Sequence, residues 1–325
     1  MEFSENSELK KGKKRVIMIG IILLLILITT NLFLLLKQMQ TNNIPTPDRA
    51  PYRYINHLTA TPVDSGNQPL RLRLHYYGLK EKLTSDIEPK NNISQVGIFV
   101  QDLRTGAWMG INERDAFIPA SLLKMPIMIG FLKKVDREQI RLNDTISLIS
   151  ADVDKNSGEL YKKPVGTEFT SIEFLKEMIL ASDNTAKNAV LRQLSDADLN
   201  SVFAHVGMPQ IENRNTTVYV TPRGYSRFFK ALYFSSYLSP KSSELALDVT
   251  TDTQREDLLS AGIPVEVQVA HKFGVSDYGL HDCGVVYYPN NPYIICVMTR
   301  DIPFREAKNL ITLVSKDVFE YVDAD

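Results

Sequence analysis

Apolar positions are spaced in three different ways along this chain. Residues 16–36 form one unbroken run of mostly Ile, Leu and Val without a charge. About 20 such residues cross a hydrocarbon core as a helix, so the run predicts a single membrane span. Residues 95–103 (QVGIFVQDL), 107–112, 265–272, 282–288 and 292–300 are short and apolar-rich. Turn signals such as Arg104-Thr105-Gly106 and Pro289-Asn290-Asn291-Pro292 break them up, and they predict strands. Residues 172–180, 184–194, 225–237 and 306–321 instead repeat apolar residues at helical intervals. Strands at both ends with a helical block between them predict an α/β (α+β) fold. Its parts are one antiparallel five-stranded sheet flanked by terminal helices, plus an all-α lobe, with a cleft between.

The flanks of the apolar run set its direction. Lys10, Lys11, Lys13, Lys14 and Arg15 precede it and only Lys37 directly follows. Positive residues stay inside, so the N-terminus is expected in the cytoplasm and residues 38 onward outside. No small-residue cleavage site ends the run and no cysteine follows to carry a lipid, which favours an uncleaved anchor. Residues 38–70 are rich in Asn, Thr, Pro, Gln and Asp and cannot bury a core. The chain therefore divides into a cytoplasmic tail (1–15), an anchor (16–36), a linker (37–70) and a folded extracytoplasmic domain (71–325). This is the layout of a single-pass protein of a cell membrane.

Composition narrows the chemistry. A net charge of −1 over 325 residues leaves no basic stripe for nucleic acid. The five histidines and two cysteines lack metal-ligand spacing, no nucleotide-binding glycine loop occurs, and no cofactor is expected. Cys283 and Cys296 fall opposite each other if the hairpin at 282–300 turns tightly. Two buried thiols are the expected state, with a cross-strand disulfide as the alternative outside the cytoplasm.

One segment carries a nucleophile and a base. In Ile118-Pro119-Ala120-Ser121-Leu122-Leu123-Lys124, a serine and a lysine three apart share one face of a helix start. A serine hydroxyl needs a base to attack, and lysine serves only when neutral, which burial or a nearby cation brings about. S-x-x-K alone is weak, since Ser7–Lys10 in the tail matches it too. Two further motifs raise its weight: Ser182-Asp183-Asn184, which also suits a helix cap, and His271-Lys272-Phe273-Gly274 at a strand end.

In this order the three motifs resemble the S-x-x-K, S-D-N and K-T-G set of class A β-lactamases and penicillin-binding proteins. The resemblance runs from about residue 95 to the C-terminus. It includes Gly166–Thr170 before a helix, the stretch 216–223 (TTVYVTPR), and Tyr278–Asp282 before the last hairpin. It implies catalytic roles for Ser121 as nucleophile, Lys124 as base (alone or through a water) and Ser182 as proton relay to the departing nitrogen. It implies substrate binding by Asn184 to an amide side chain and by Lys272 to a carboxylate. Gly274 would give close approach, and Val275 with Ser121 the oxyanion-binding N–H groups.

Two departures stand out. Phe273 replaces the family's hydroxyl residue, leaving Lys272 to hold the carboxylate unless Ser276 or His271 reaches in. The interval from Ser182 to Lys272 is also shorter than in class A enzymes by about a dozen residues. That removes the Ω-loop and the glutamate that activates the deacylating water. Glu212 lies nearby but without the family's surrounding pattern, and His205 reads as a packing residue. The expected function is a serine hydrolase acylated by β-lactams or related amides and hydrolysing them, slowly for want of that glutamate. The alternatives are a D-alanyl-D-alanine peptidase acting on peptidoglycan stems, or a non-enzymatic protein that binds cell-wall fragments.

Overall fold

A computed structural model describes residues 52–55, 76–88, 92–210, 217–251, 253 and 257–324. The expected anchor at 16–36, the tail, most of the linker and Glu212 lie outside these residues. Among the described residues, no helix is long and apolar enough to cross a membrane.

The five expected strands form. They are β1 (Val96–Asp102), β2 (Trp108–Ile111), β5 (Val269–Ser276), β6 (Gly279–Val286) and β7 (Tyr293–Thr299). All pair antiparallel in the order β2-β1-β7-β6-β5, so β5 is an edge. Every residue of β6 and β7 is buried, because both faces of the sheet are covered. On one face lie α1 (Tyr77–Ile87) and α8 (Phe304–Asp323), whose Leu310, Ile311, Val314 and Val318 make a single apolar stripe.

The other face carries the helical block: α2 (Lys124–Asp136), α3 (Ser171–Leu180), α4 (Asn184–Leu191), α5 (Asp196–His205), α6 (Pro222–Tyr233) and α7 (Pro240–Thr251). Helix α2 is buried on every side from Lys124 to Leu132, so its sequence shows no amphipathic period. Helix α6 bridges block and sheet, burying Tyr225, Phe228, Phe229 and Leu232 along one stripe. Thr221 caps it through a bond from Gly224 N–H (2.9 Å), with Pro222 at the first helical position. Thr170 and Glu173 form a reciprocal capping box that starts α3.

The structure corrects the expected pattern in four places. The helical lobe is not all-α: β3 (Thr145–Ser147) pairs with β4 (Glu168–Thr170), strands too short to show a period of two. The strand expected at 265–272 starts at Val269, because a turn from Val267 N–H to Pro264 C=O occupies the residues before it. Its ladder then runs on to Ser276 opposite Gly279, which puts Lys272 in mid-strand rather than at an end. The helix expected over 184–194 stops at Leu191, and that over 225–237 spans Pro222–Tyr233. Finally, Cys283 does face Cys296, but as a disulfide rather than two thiols.

Candidate active site

The site is built where the start of α2, the start of α4 and the edge strand β5 converge. Residues Ala120–Leu123 form one 3-10 turn that runs directly into α2. Two buried side chains tie that turn down. Tyr225 donates its hydroxyl to Leu122 C=O (2.9 Å). His281 Nε2 lies 2.8 Å from Ile118 C=O. Its Nδ1 accepts from Thr299 N–H (3.2 Å), so the ring proton sits on Nε2 and is donated to Ile118. Burial pulls the His281 pKa down to about 4, which keeps the ring neutral in that role. Ala120 and Ser182 both adopt left-handed backbone conformations (φ 49° and 53°), which cost non-glycine residues about 1–3 kcal/mol and collect at functional sites.

Lys124 is the centre of the constellation. Its Nζ lies 3.0 Å from Ser121 Oγ, 3.0 Å from Ser182 Oγ and 2.8 Å from Asn184 Oδ1, and it also donates to Ser182 C=O. The side chain is 1% exposed. Burial lowers its pKa to about 7; the charge of Lys187 adds to that, while Asp183 and Asp154 oppose it. Near neutral pH much of Lys124 is therefore the free amine that a base must be.

Lys272 approaches from β5, fully buried, with Nζ 3.2 Å from the same Ser182 Oγ. Burial and the neighbouring Lys124 push its ammonium well below the ordinary lysine range, opposed by Asp282. Ser182 thus sits between two lysine nitrogens and can pass a proton to or from either. The ring of Phe273 lies 4.0 Å from Lys272 Nζ, so an aromatic face meets the lysine where the family's hydroxyl would stand. His271 does not reach in: its Nδ1 is 2.9 Å from Asp282, and both are buried. Ser276 Oγ accepts from Tyr278 N–H (3.2 Å) in the β5–β6 turn.

Gly274 and Val275 follow on the same edge strand. A Cβ at Gly274 would stand 2.6 Å from Pro119 C=O and 3.3 Å from Leu122 N, so only glycine lets β5 press against the turn that carries Ser121. Val275 is 41% exposed, at the open end of the strand.

Asp183, read from sequence as a cap, does more than cap. Its Oδ1 accepts from Ala186 N–H (2.7 Å), starting α4, and its Oδ2 accepts from Glu159 and Leu160 N–H (2.7 and 2.8 Å). Residues 153–160 are thereby held against the site. Gly158 (φ 84°) makes room: a Cβ there would overlap the Asp183 carboxylate at 1.9 Å. Sequence reasoning gave no sign of this loop, of Tyr225 or of His281. The one available signal was Asp183 itself, an acidic residue that directly follows the apolar helix 171–180. His205 packs its ring on Tyr237, as expected. Beside the turn that carries Ser121, an apolar cavity of about 330 Å³ is bounded by Ala120, Leu123, Pro126, Leu199 and Phe203 among the described residues.

The chain resembles known proteins in sequence and in fold. The model of the beta-lactamase enzyme family matches residues 78–322. A beta-lactamase of Streptomyces fradiae is 27% identical over 239 residues, covering 67% of this chain and 78% of that protein. Beta-lactamase 3 of Bacillus cereus is 23% identical, covering 63% and 69%. Among solved structures, PBP-A superposes with a TM-score of 0.71 at 26% identity, over 77% of this chain and 97% of that one. A mutant of PBP-A, captured as an acyl-enzyme complex with penicillin G, superposes with a TM-score of 0.70 at 25% identity, over 76% and 97%.

Proposed function

The chain belongs to the beta-lactamase enzyme family and is a serine hydrolase working through an acyl-enzyme, and on that premise we propose that β-lactams acylate it at Ser121 and leave slowly. The observation that carries this reading is the position of Lys124 Nζ, 3.0 Å from Ser121 Oγ with a pKa near 7. In the first step Ser121 Oγ attacks the lactam carbonyl while its proton passes to the Lys124 amine. The N–H groups of Ser121 and Val275 receive the oxyanion, a contribution of about 3–4 kcal/mol in such sites. Ser182 then hands a proton to the ring nitrogen as the C–N bond breaks, drawing on the lysines on either side of it. Asn184 receives the substrate's amide side chain and Lys272 its carboxylate. Arrival of that carboxylate favours the charged form of Lys272.

Hydrolysis of the ester is the second step. It gains about 10²–10⁴-fold from a general base aimed at the water. The shortened interval before residue 217 supports a site without the family's Ω-loop glutamate, and hence slow release. A second reading, a D-alanyl-D-alanine peptidase acting on peptidoglycan stems, uses the same first step. The likeness to PBP-A supports it equally. The apolar run at 16–36 with its basic flank supports anchoring in a cell membrane with the domain outside. The Cys283–Cys296 disulfide accords with an oxidising compartment.

The test is labelling of the full chain with a fluorescent penicillin. Wild type is expected to take one label and Ser121→Ala none. Equal labelling of folded Ser121→Ala, or none of folded wild type, would overturn the assignment.

A further inference from the structure

We propose that Phe273 turns this site toward acyl donors that carry no carboxylate beside the scissile nitrogen: its ring covers the Lys272 nitrogen and offers an anion no donor. The inference rests on the acylation of Ser121 proposed above and names the substrates that the same site favours.

The geometry begins on the edge strand. Lys272 and Phe273 are neighbours on β5, and neighbours on a strand point to opposite faces. They meet all the same, because β5 is the edge of the sheet: the ring centroid lies 4.0 Å from Lys272 Nζ. In such a contact the electron-rich ring face takes the place of an anion beside the ammonium. Lys272 is 0% exposed, while Phe273 is only half-buried. The ring is thus the outer of the two, and a carboxylate reaches the nitrogen only once the ring has turned aside.

The strand cannot shift to open the way. It pairs with β6 from Val269 to Ser276, with Phe273 opposite Asp282. Gly274, the next residue, already presses against Pro119 C=O and Leu122 N.

Other donors are engaged. Lys272 Nζ spends one of its hydrogens on Ser182 Oγ (3.2 Å). Burial and the neighbouring Lys124 also push its ammonium well below the ordinary lysine range, which weakens its pull on an anion. Arginine holds a carboxylate best, because it meets both oxygens. Arg223 on α6 stacks on Trp108 (4.3 Å), and Arg227 on the same helix donates to Val206 C=O (2.9 Å). Arg300, after β7, pairs with Asp115 (2.8 Å), and His271 is turned to Asp282 (2.9 Å). What stands over Lys272 is therefore an aromatic wall, which suits an uncharged or apolar substituent.

The test is the second-order acylation rate constant of the full chain for benzylpenicillin and for its methyl ester. Intact mass follows the reaction, and the alkaline hydrolysis rate of each compound corrects for its own reactivity. The bonds made and broken are the same for both: Ser121 Oγ gains the acyl group and the lactam nitrogen a proton. Wild type is expected to take the two within about threefold of each other. Phe273→Ala uncovers the nitrogen and is expected to raise the acid-to-ester ratio about threefold. Phe273→Thr, which adds a hydroxyl donor, is expected to raise it about tenfold, the scale of one charge-assisted hydrogen bond. The ratio is decisive because any general effect of a variant on folding or on Lys124 cancels between the two substrates. A wild type that prefers the free acid by about tenfold or more, or a ratio that neither variant moves, would overturn the proposal. Acylation of folded wild type by neither substrate would instead overturn the Ser121 reading and this inference with it.

Discussion

Lys124→Ala is expected to slow acylation of Ser121 by about 10²–10⁴-fold, the contribution of a well-placed general base. The side chain touches Ser121, Ser182 and Asn184 at once, so no other described group replaces it as proton acceptor from Oγ. The pH dependence carries the same information with a definite sign. The base is the neutral amine, and the Lys124 pKa stands at about 7, lowered chiefly by burial. Below that value the reactive fraction falls tenfold per pH unit; above it the rate levels off. Wild type is therefore expected to show an acidic limb centred near pH 7, and Lys124→Ala to lose that limb along with its rate. Stopped-flow acylation across pH measures both. A wild-type limb near the ordinary lysine value would mean that burial does not hold the amine neutral.

The second large effect is on stability. Asp183→Ala is expected to destabilise the fold by about 3–5 kcal/mol, several times the cost of an ordinary helix cap, and to lower Tm by about 10 °C. The difference lies in the partners. The carboxylate is fully buried and satisfies three N–H groups, Ala186 at the start of α4 and Glu159 and Leu160 across the loop. Truncation leaves all three without an acceptor in a dry place. Asp183→Asn keeps one acceptor oxygen and is expected to lose roughly half as much. Thermal and denaturant unfolding monitored by circular dichroism measure the change. A loss of about 1 kcal/mol or less would reduce Asp183 to a simple cap.

The strands were legible because each is a short apolar run closed by turn residues, and a tight turn at 289–292 set the register that puts Cys283 opposite Cys296. The helical lobe was legible only in part. Helix α2 is buried on every side and shows no stripe, while β3 and β4 are three residues each. Lys272 was placed at a strand end because the pattern after it, Phe273-Gly274-Val275-Ser276, looks like a turn. The turn comes later, at Asp277 and Tyr278.

The five polar residues of the site were legible from motif order, not from local pattern. Any one of them alone has an ordinary explanation as a cap or a surface charge. What links them, Lys124 to Ser121, Ser182 and Asn184 and Lys272 to Ser182, each within 3.2 Å, is the meeting of three distant segments, which no window of sequence contains. The loop from 153 to 160 was illegible for a related reason. Apart from Leu160, which enters the core, it is held by hydrogen bonds to Asp183, Thr185 and Ser182, so it leaves little hydrophobic signature.

The central claim is that Ser121 is readily acylated and slowly released. Intact-mass spectrometry of the full chain, mixed with excess benzylpenicillin and then freed of the drug, tests it directly. The account predicts one covalent equivalent, mapped by peptide digestion to Ser121 and persisting long after the drug is removed. Rapid turnover with the mass of the free protein throughout would contradict it.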